Sequence, residues 1–204
     1  TDWDKRKLIK IFNTSGPAVT NYAFKVEIPY DADMQADFDD LRFTDSSGTT
    51  SLSYWFEDVQ LSATATAWVK IPTLAASSGN ESYVYYDNAL AASGENGTNT
   101  FTFFDDFEDN NITEYSGTAQ DIAYFATNAS YNYEGSYGLS ASGGNTDKQT
   151  SGGIYQTGTT FSQGSTIRFF QKITASTDDE PCTLFGVQGS GQNYAVCLDQ
   201  YPSD

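Results

Sequence analysis

Between residues 5 and 86 apolar side chains return at every second position, a period that suits strands and rules out most helices. In the run from Tyr22 to Ile28, the residues Tyr22, Phe24, Val26 and Ile28 share one face while Ala23, Lys25 and Glu27 share the other. Leu52, Tyr54 and Phe56 repeat the pattern, as do Ala67, Val69 and Ile71, with Trp68 and Lys70 opposite. Turn chemistry separates these runs at residues 15–17, 45–48 and 77–80. Short strands joined by tight turns predict an antiparallel β-sandwich.

From residue 91 to 100 the alternation gives way to small and polar residues, which predicts a linker. Beyond it the spacing predicts strands near 122–126, 136–141, 153–157, 165–173, 182–187 and 193–199, the run Ile167 to Ile173 being the longest and most β-branched. The expected fold is therefore all-β, with two antiparallel β-sandwich modules, 1–90 and 101–204, and the linker 91–100 between them.

Composition narrows the function. Lys and Arg total 10 against 27 Asp and Glu, a net charge of −17, which argues against nucleic acid and anionic membranes because both need clustered cations. There is no histidine, which removes imidazole ligands and histidine-based triads. No stretch approaches the length of a membrane-spanning helix. The start at Thr1 fits the expectation of a removed secretion leader, and an engineered boundary would look the same.

Cys182 and Cys197 each sit in a strand-like run. Facing one another across paired strands they would form a disulfide worth about 3 kcal/mol, and otherwise they are two buried thiols. Five Asn-X-Ser/Thr sequons, at Asn13, Asn80, Asn96, Asn111 and Asn128, fit a secreted glycoprotein.

Four motifs carry a family resemblance: Trp3 to Ile11, Asp40 to Thr49, Ala67 to Pro72 and Tyr83 to Asn88. Over residues 3–90 the chain resembles the domain of unknown function 2341, found in secreted and surface proteins of bacteria and archaea. It departs from the family at Asp87, where a glycine is usual. The resemblance implies that Asp40 and Arg42 belong to a structural Asp-Leu-Arg-Phe motif. It also implies that the next module is a concanavalin-A-like jelly roll, whose opening strand Phe104 to Phe107 resembles and whose Gly-Ser turn the run Glu134 to Leu139 resembles. The residues after Phe101 are few for such a sandwich, so a strand from a neighbouring subunit is expected to complete it, with Thr1 to Leu8 as the donor.

The acidic run Asp105, Asp106, Glu108 and Asp109 offers hard oxygen ligands for a structural Ca²⁺, a site that the jelly-roll resemblance also implies. The competing reading is a solvated strand end. The cluster Asp31, Asp33, Asp37, Asp39 and Asp40 lacks the glycine and final glutamate of a calcium-binding helix-loop-helix and reads as structural, and Asp178 to Glu180 reads as an acidic turn. The Glu-x-Asp-x-x-Glu string that jelly-roll glycosidases carry on one strand does not occur, so no enzyme activity is expected. Tyr131, Tyr133, Tyr137, Tyr155 and Tyr194 are candidates for stacking on a glycan, although alternating aromatics in a sandwich more often form the core.

These readings converge on a non-enzymatic extracellular protein of cell-surface structure or adhesion, self-associating as a homo-oligomer or filament. The alternatives are a calcium-assisted carbohydrate-binding module and the ectodomain of a longer membrane protein.

Overall fold

The structure, a computed structural model, describes residues 3–14, 16–117, 119–141, 154–156, 159, 166–170, 182–185 and 194–197. The chain divides into two compact units, Thr1–Asp105 and Asp106–Asp204.

The first unit holds seven strands: β1 (Lys5–Phe12), β2 (Val19–Pro29), β3 (Arg42–Asp45), β4 (Ser51–Leu52), β5 (Tyr54–Gln60), β6 (Thr64–Leu74) and β7 (Gly79–Tyr86), followed by a helical turn, α1 (Gly97–Thr100). They form two antiparallel sheets, ordered β1-β7-β3-β4 and β2-β6-β5. Register follows the predicted alternation: Phe24, Val26 and Ile28 lie opposite Val69, Ala67 and Ala65, and Tyr54 and Phe56 lie opposite Val69 and Ala67. This face meets Phe43, Leu52, Val84 and Tyr86 of the other sheet, and Met34, Phe38 and Leu41 from the loop before β3 cap the core. Each large side chain so buried contributes about 1.5–3 kcal/mol of transfer free energy.

A bulge between Phe56 and Asp58 inserts Glu57, which is buried on the outer face of β5 and paired with Lys25 at 2.9 Å. The Trp68 indole also donates to Glu57, at 3.3 Å.

Residues 91–105 depart from the expected linker and opening strand. Glu95 accepts the Phe56 N–H at 3.0 Å and Asn96 donates to the Tyr54 carbonyl at 2.7 Å, so the open edge of β5 is capped by its own chain. Phe101 and Phe104 then pack edge-on to Trp55 with ring centroids 5.8 and 5.0 Å away. Gly97 permits this, because a Cβ there would fall 2.3 Å from the Phe104 ring. Phe104 is thus fixed by rings of the first unit, and residues 101–107 form no strand.

The expected donor segment is also engaged at home. Lys5 to Leu8 pair with Tyr86 to Tyr83 in β7, so these residues cannot serve a neighbour while that pairing holds.

The second unit contains β8 (Tyr115–Ser116), a helical turn α2 (Ala119–Ile122), β9 (Phe125–Asn128), β10 (Gly138–Ala141), β11 (Tyr155–Gln156), β12 (Cys182–Phe185) and β13 (Tyr194–Cys197). Among the described residues they form three antiparallel pairs, β8 with β11, β9 with β10 and β12 with β13. The run expected as the longest strand is irregular over residues 166–170, and its Ile167, Phe169 and Phe170 are exposed. Residues 171–173 and 178–180 lie outside the described residues.

Candidate functional site

In the first unit Asp40 is fully buried. One carboxylate oxygen accepts the Gln35 N–H at 3.0 Å, and the other accepts those of Asp87 at 2.8 Å and Asn88 at 3.3 Å. The Asp40 carbonyl accepts the Trp3 indole N–H at 2.6 Å. Arg42 adds a second layer, donating to the carbonyls of Asp39, Leu41 and Ala92, with its guanidinium 5.2 Å from the Trp3 ring centroid. Its Nη1 also reaches the Tyr54 hydroxyl, which donates to the Leu41 carbonyl at 2.7 Å. Burial pushes the Tyr54 phenol up to about 12. Every oxygen of this group holds backbone in place, so Asp40 and Arg42 are structural.

Asp87 has φ +72, the left-handed conformation in which glycine is most at ease. The backbone needs that turn to aim the N–H groups of Asp87 and Asn88 at Asp40, and aspartate is one of the few other residues that tolerates it.

Around this clamp the acidic loop meets β1. Lys5 pairs with Asp33 and, at 3.8 Å, with Asp87, while Lys7 pairs with Asp31 at 2.7 Å. The Lys7 ammonium holds the Asp31 carboxyl below its usual range. Asp39 shifts upward, chiefly by burial and then by Asp37.

In the acidic run expected to hold calcium, Asp106, Glu108 and Asp109 each accept backbone N–H groups. Asp106 accepts the Glu108 N–H at 3.2 Å, and Asp109 accepts from Asn111 through both its backbone and side-chain amides. Glu108 reaches across the second unit to accept the N–H groups of Ser136 at 2.8 Å and Tyr137 at 2.9 Å. Gly135 has φ +65, and a Cβ there would sit 2.3 Å from the Glu108 carboxylate oxygen. Asp105 is part-buried within the first unit. Among the described residues no three Asp, Glu or Cys side chains converge as metal ligands.

Of the tyrosines, Tyr131 and Tyr133 are exposed, at 49% and 65%, so neither is core. Tyr133 stacks on Phe170 with centroids 3.6 Å apart. Tyr137 is half-buried, and the side chains of Tyr155 and Tyr194 lie outside the described residues.

The five sequon asparagines all hydrogen-bond through their side chains. Asn13, Asn80 and Asn111 donate through Nδ2 to Pro17, Thr73 and Asp109. Asn96 caps α1 by accepting the Asn99 N–H, and Asn128 accepts from Ser130. The side-chain oxygens of Asn13, Asn96, Asn111 and Asn128 accept backbone N–H groups two or three residues on, as asparagines in turns commonly do. Cys182 and Cys197 are direct register partners in the β12–β13 pair, and their side chains lie outside the described residues.

One feature had no sequence signal. A cleft of about 280 Å³ is lined by Ser53, by Asn21 of β2, Ser51 and Leu52 of β4, Lys70 and Pro72 of β6, and Asn99 of α1. These residues come from strands far apart in sequence and from α1, inside the stretch that reads as a linker. Asn21, at φ +50, is the only left-handed residue in β2.

No curated protein and no solved structure matches the chain. Three of the four sequence motifs, Asp40 to Thr49, Ala67 to Pro72 and Tyr83 to Asn88, fall inside the one stretch where a family likeness is found. That stretch, residues 37–119, matches the family described as Domain of unknown function (DUF2341), and it runs from the buried Asp40 clamp through α1 into the second unit.

Proposed function

We propose that this chain is a non-enzymatic extracellular module of cell-surface structure or adhesion. The observation that carries the reading is the use of its carboxylates. Asp106, Glu108 and Asp109, which the sequence offered as metal ligands, and Asp40, which it offered as structural, each accept backbone N–H groups that fix turns. Carboxylates so engaged stiffen a sandwich. The outer face of the β1-β7-β3-β4 sheet supports the reading further: Leu8 and Phe12 are exposed there, beside an Arg6 guanidinium 4.3 Å from the Tyr83 ring centroid. Self-association into an oligomer or filament, a jelly-roll form for the second unit and a Cys182–Cys197 disulfide belong to the same reading, the last supported by the register of β12 and β13.

Brief proteolysis of intact producing cells, with mass spectrometry of the released peptides, tests it. Peptides of this chain are expected in the released fraction, and sedimentation of the native protein is expected to show a species heavier than one chain. Confinement to the cell interior overturns the proposal.

A second reading, a carbohydrate-binding module, is favoured by the exposure of Tyr131 and Tyr133. A glycan array probed with and without chelator separates it from a purely structural role and tests calcium at the same time.

A further inference from the structure

Every described asparagine except two hydrogen-bonds through its side-chain amide: Asn13, Asn80, Asn88, Asn96, Asn110, Asn111, Asn128 and Asn132 all do so. The exceptions are Asn21 and Asn99, and both line the same cleft. The lysines single out the same place. Lys5, Lys7, Lys10 and Lys25 each pair with a carboxylate. Lys70 alone among the described lysines has none, although the chain carries a net charge of −17. Its ammonium donates only to the Asn99 carbonyl, at 2.9 Å, which leaves further N–H donors for a ligand. Ser51 and Ser53 add two hydroxyls with no partner among the described residues, and Pro72 adds an apolar wall.

An uncompensated ammonium calls for an anion. The amides and hydroxyls around it offer acceptors as well as donors, so a bare oxyanion would leave half of them unused, whereas a ligand carrying both a carboxylate and hydroxyls would satisfy the set. At about 280 Å³ the cleft lies at the small end of ligand sites, which suits one sugar residue of a longer chain lying across an open face. We propose that this cleft binds a uronate residue of an acidic polysaccharide. Lys70 meets the carboxylate, Asn21, Asn99, Ser51 and Ser53 meet the ring hydroxyls, and Pro72 meets a C–H face of the ring. The inference deepens the adhesion reading and rests on it for the source of the ligand.

The test is titration of the full chain with a galacturonate trisaccharide, its methyl ester and a triglutamate peptide, followed by calorimetry and by the side-chain amide resonances of Asn21 and Asn99. The acid saccharide is expected to bind and to shift both resonances, and the ester to bind at least about tenfold more weakly. Lys70→Gln is expected to weaken binding at least about tenfold while Lys70→Arg stays within about threefold. Asn21→Gly, which removes the amide but keeps the left-handed backbone, is expected to weaken it as well. Absence of saturable binding, equal binding of the ester, or peptide binding as tight as the saccharide's overturns the proposal. The wild-type resonances decide the location even if a variant fails to fold. Binding by a protein confined to the cell interior would overturn the adhesion reading and spare the cleft; a surface protein that does not bind would do the reverse.

Discussion

The carboxylate of Asp40 accepts the backbone N–H of Asp87 at 2.8 Å, joining the loop before β3 to the turn after β7 across 47 residues of sequence. Removing it by Asp40→Ala leaves three backbone donors to find new partners in a buried site, and unmet buried donors cost about 1–3 kcal/mol each. We expect a loss of about 3–5 kcal/mol in urea unfolding, with Asp40→Asn nearly as severe because its NH₂ cannot accept. A loss below about 1 kcal/mol would show that the clamp is dispensable.

The turn at Asp87 yields a paired prediction. Since φ is +72, Asp87→Gly is expected to lie within about 0.5 kcal/mol of the parent, whereas Asp87→Val, branched at Cβ, is expected to cost about 1–2 kcal/mol. The exposed Lys5 contact at 3.8 Å contributes little to either. Equal melting temperatures for the two variants would contradict the strain argument.

At Gly97, substitution by alanine places a methyl group against the Phe104 ring. We expect Phe104 to leave Trp55, a loss of about 1–3 kcal/mol, and a change in tryptophan fluorescence before any change in the far-ultraviolet spectrum.

Alkaline stability has a predictable sign. The Tyr54 phenol titrates at about 12 in the folded chain against about 10 when unfolded, so its contribution is whole below the unfolded value and is lost as pH rises toward the folded one. The loss is on the order of 2–3 kcal/mol. Lys5 and Lys7, raised by Asp33 and Asp31, lean the same way. Urea unfolding between about pH 9 and pH 12 should show a shallower decline for Tyr54→Phe than for the parent.

The register of β12 and β13 places Cys182 directly opposite Cys197, and directly opposed residues of an antiparallel pair have Cα atoms within disulfide range. The native protein is expected to gain about 2 Da on reduction. Two thiols titrating in the untreated protein would rule the bridge out.

Local periodicity carried the first sandwich well, because Phe24, Ile28, Ala67 and Val69 announce their buried face by alternation alone. The structural standing of Asp40 and Arg42 was legible through the family's motif. What escaped was everything decided by contact rather than by period. Residues 91–105 are small and polar in the stretch that packs, so nothing in their composition betrays that Glu95 and Asn96 cap β5. The run 167–170 fits a strand by propensity, yet it is irregular in the structure. The cleft at Lys70 gathers residues that no window of sequence contains.

The cover that Phe101 and Phe104 lay over Trp55 bears on where this polypeptide can be cut. A fragment ending at residue 90, where the alternation stops, would bare Trp55 and Trp68 and reopen the edge of β5. Such a fragment should precipitate or pair with itself. One that continues to residue 105 carries its own seal, and is the shorter piece expected to remain soluble.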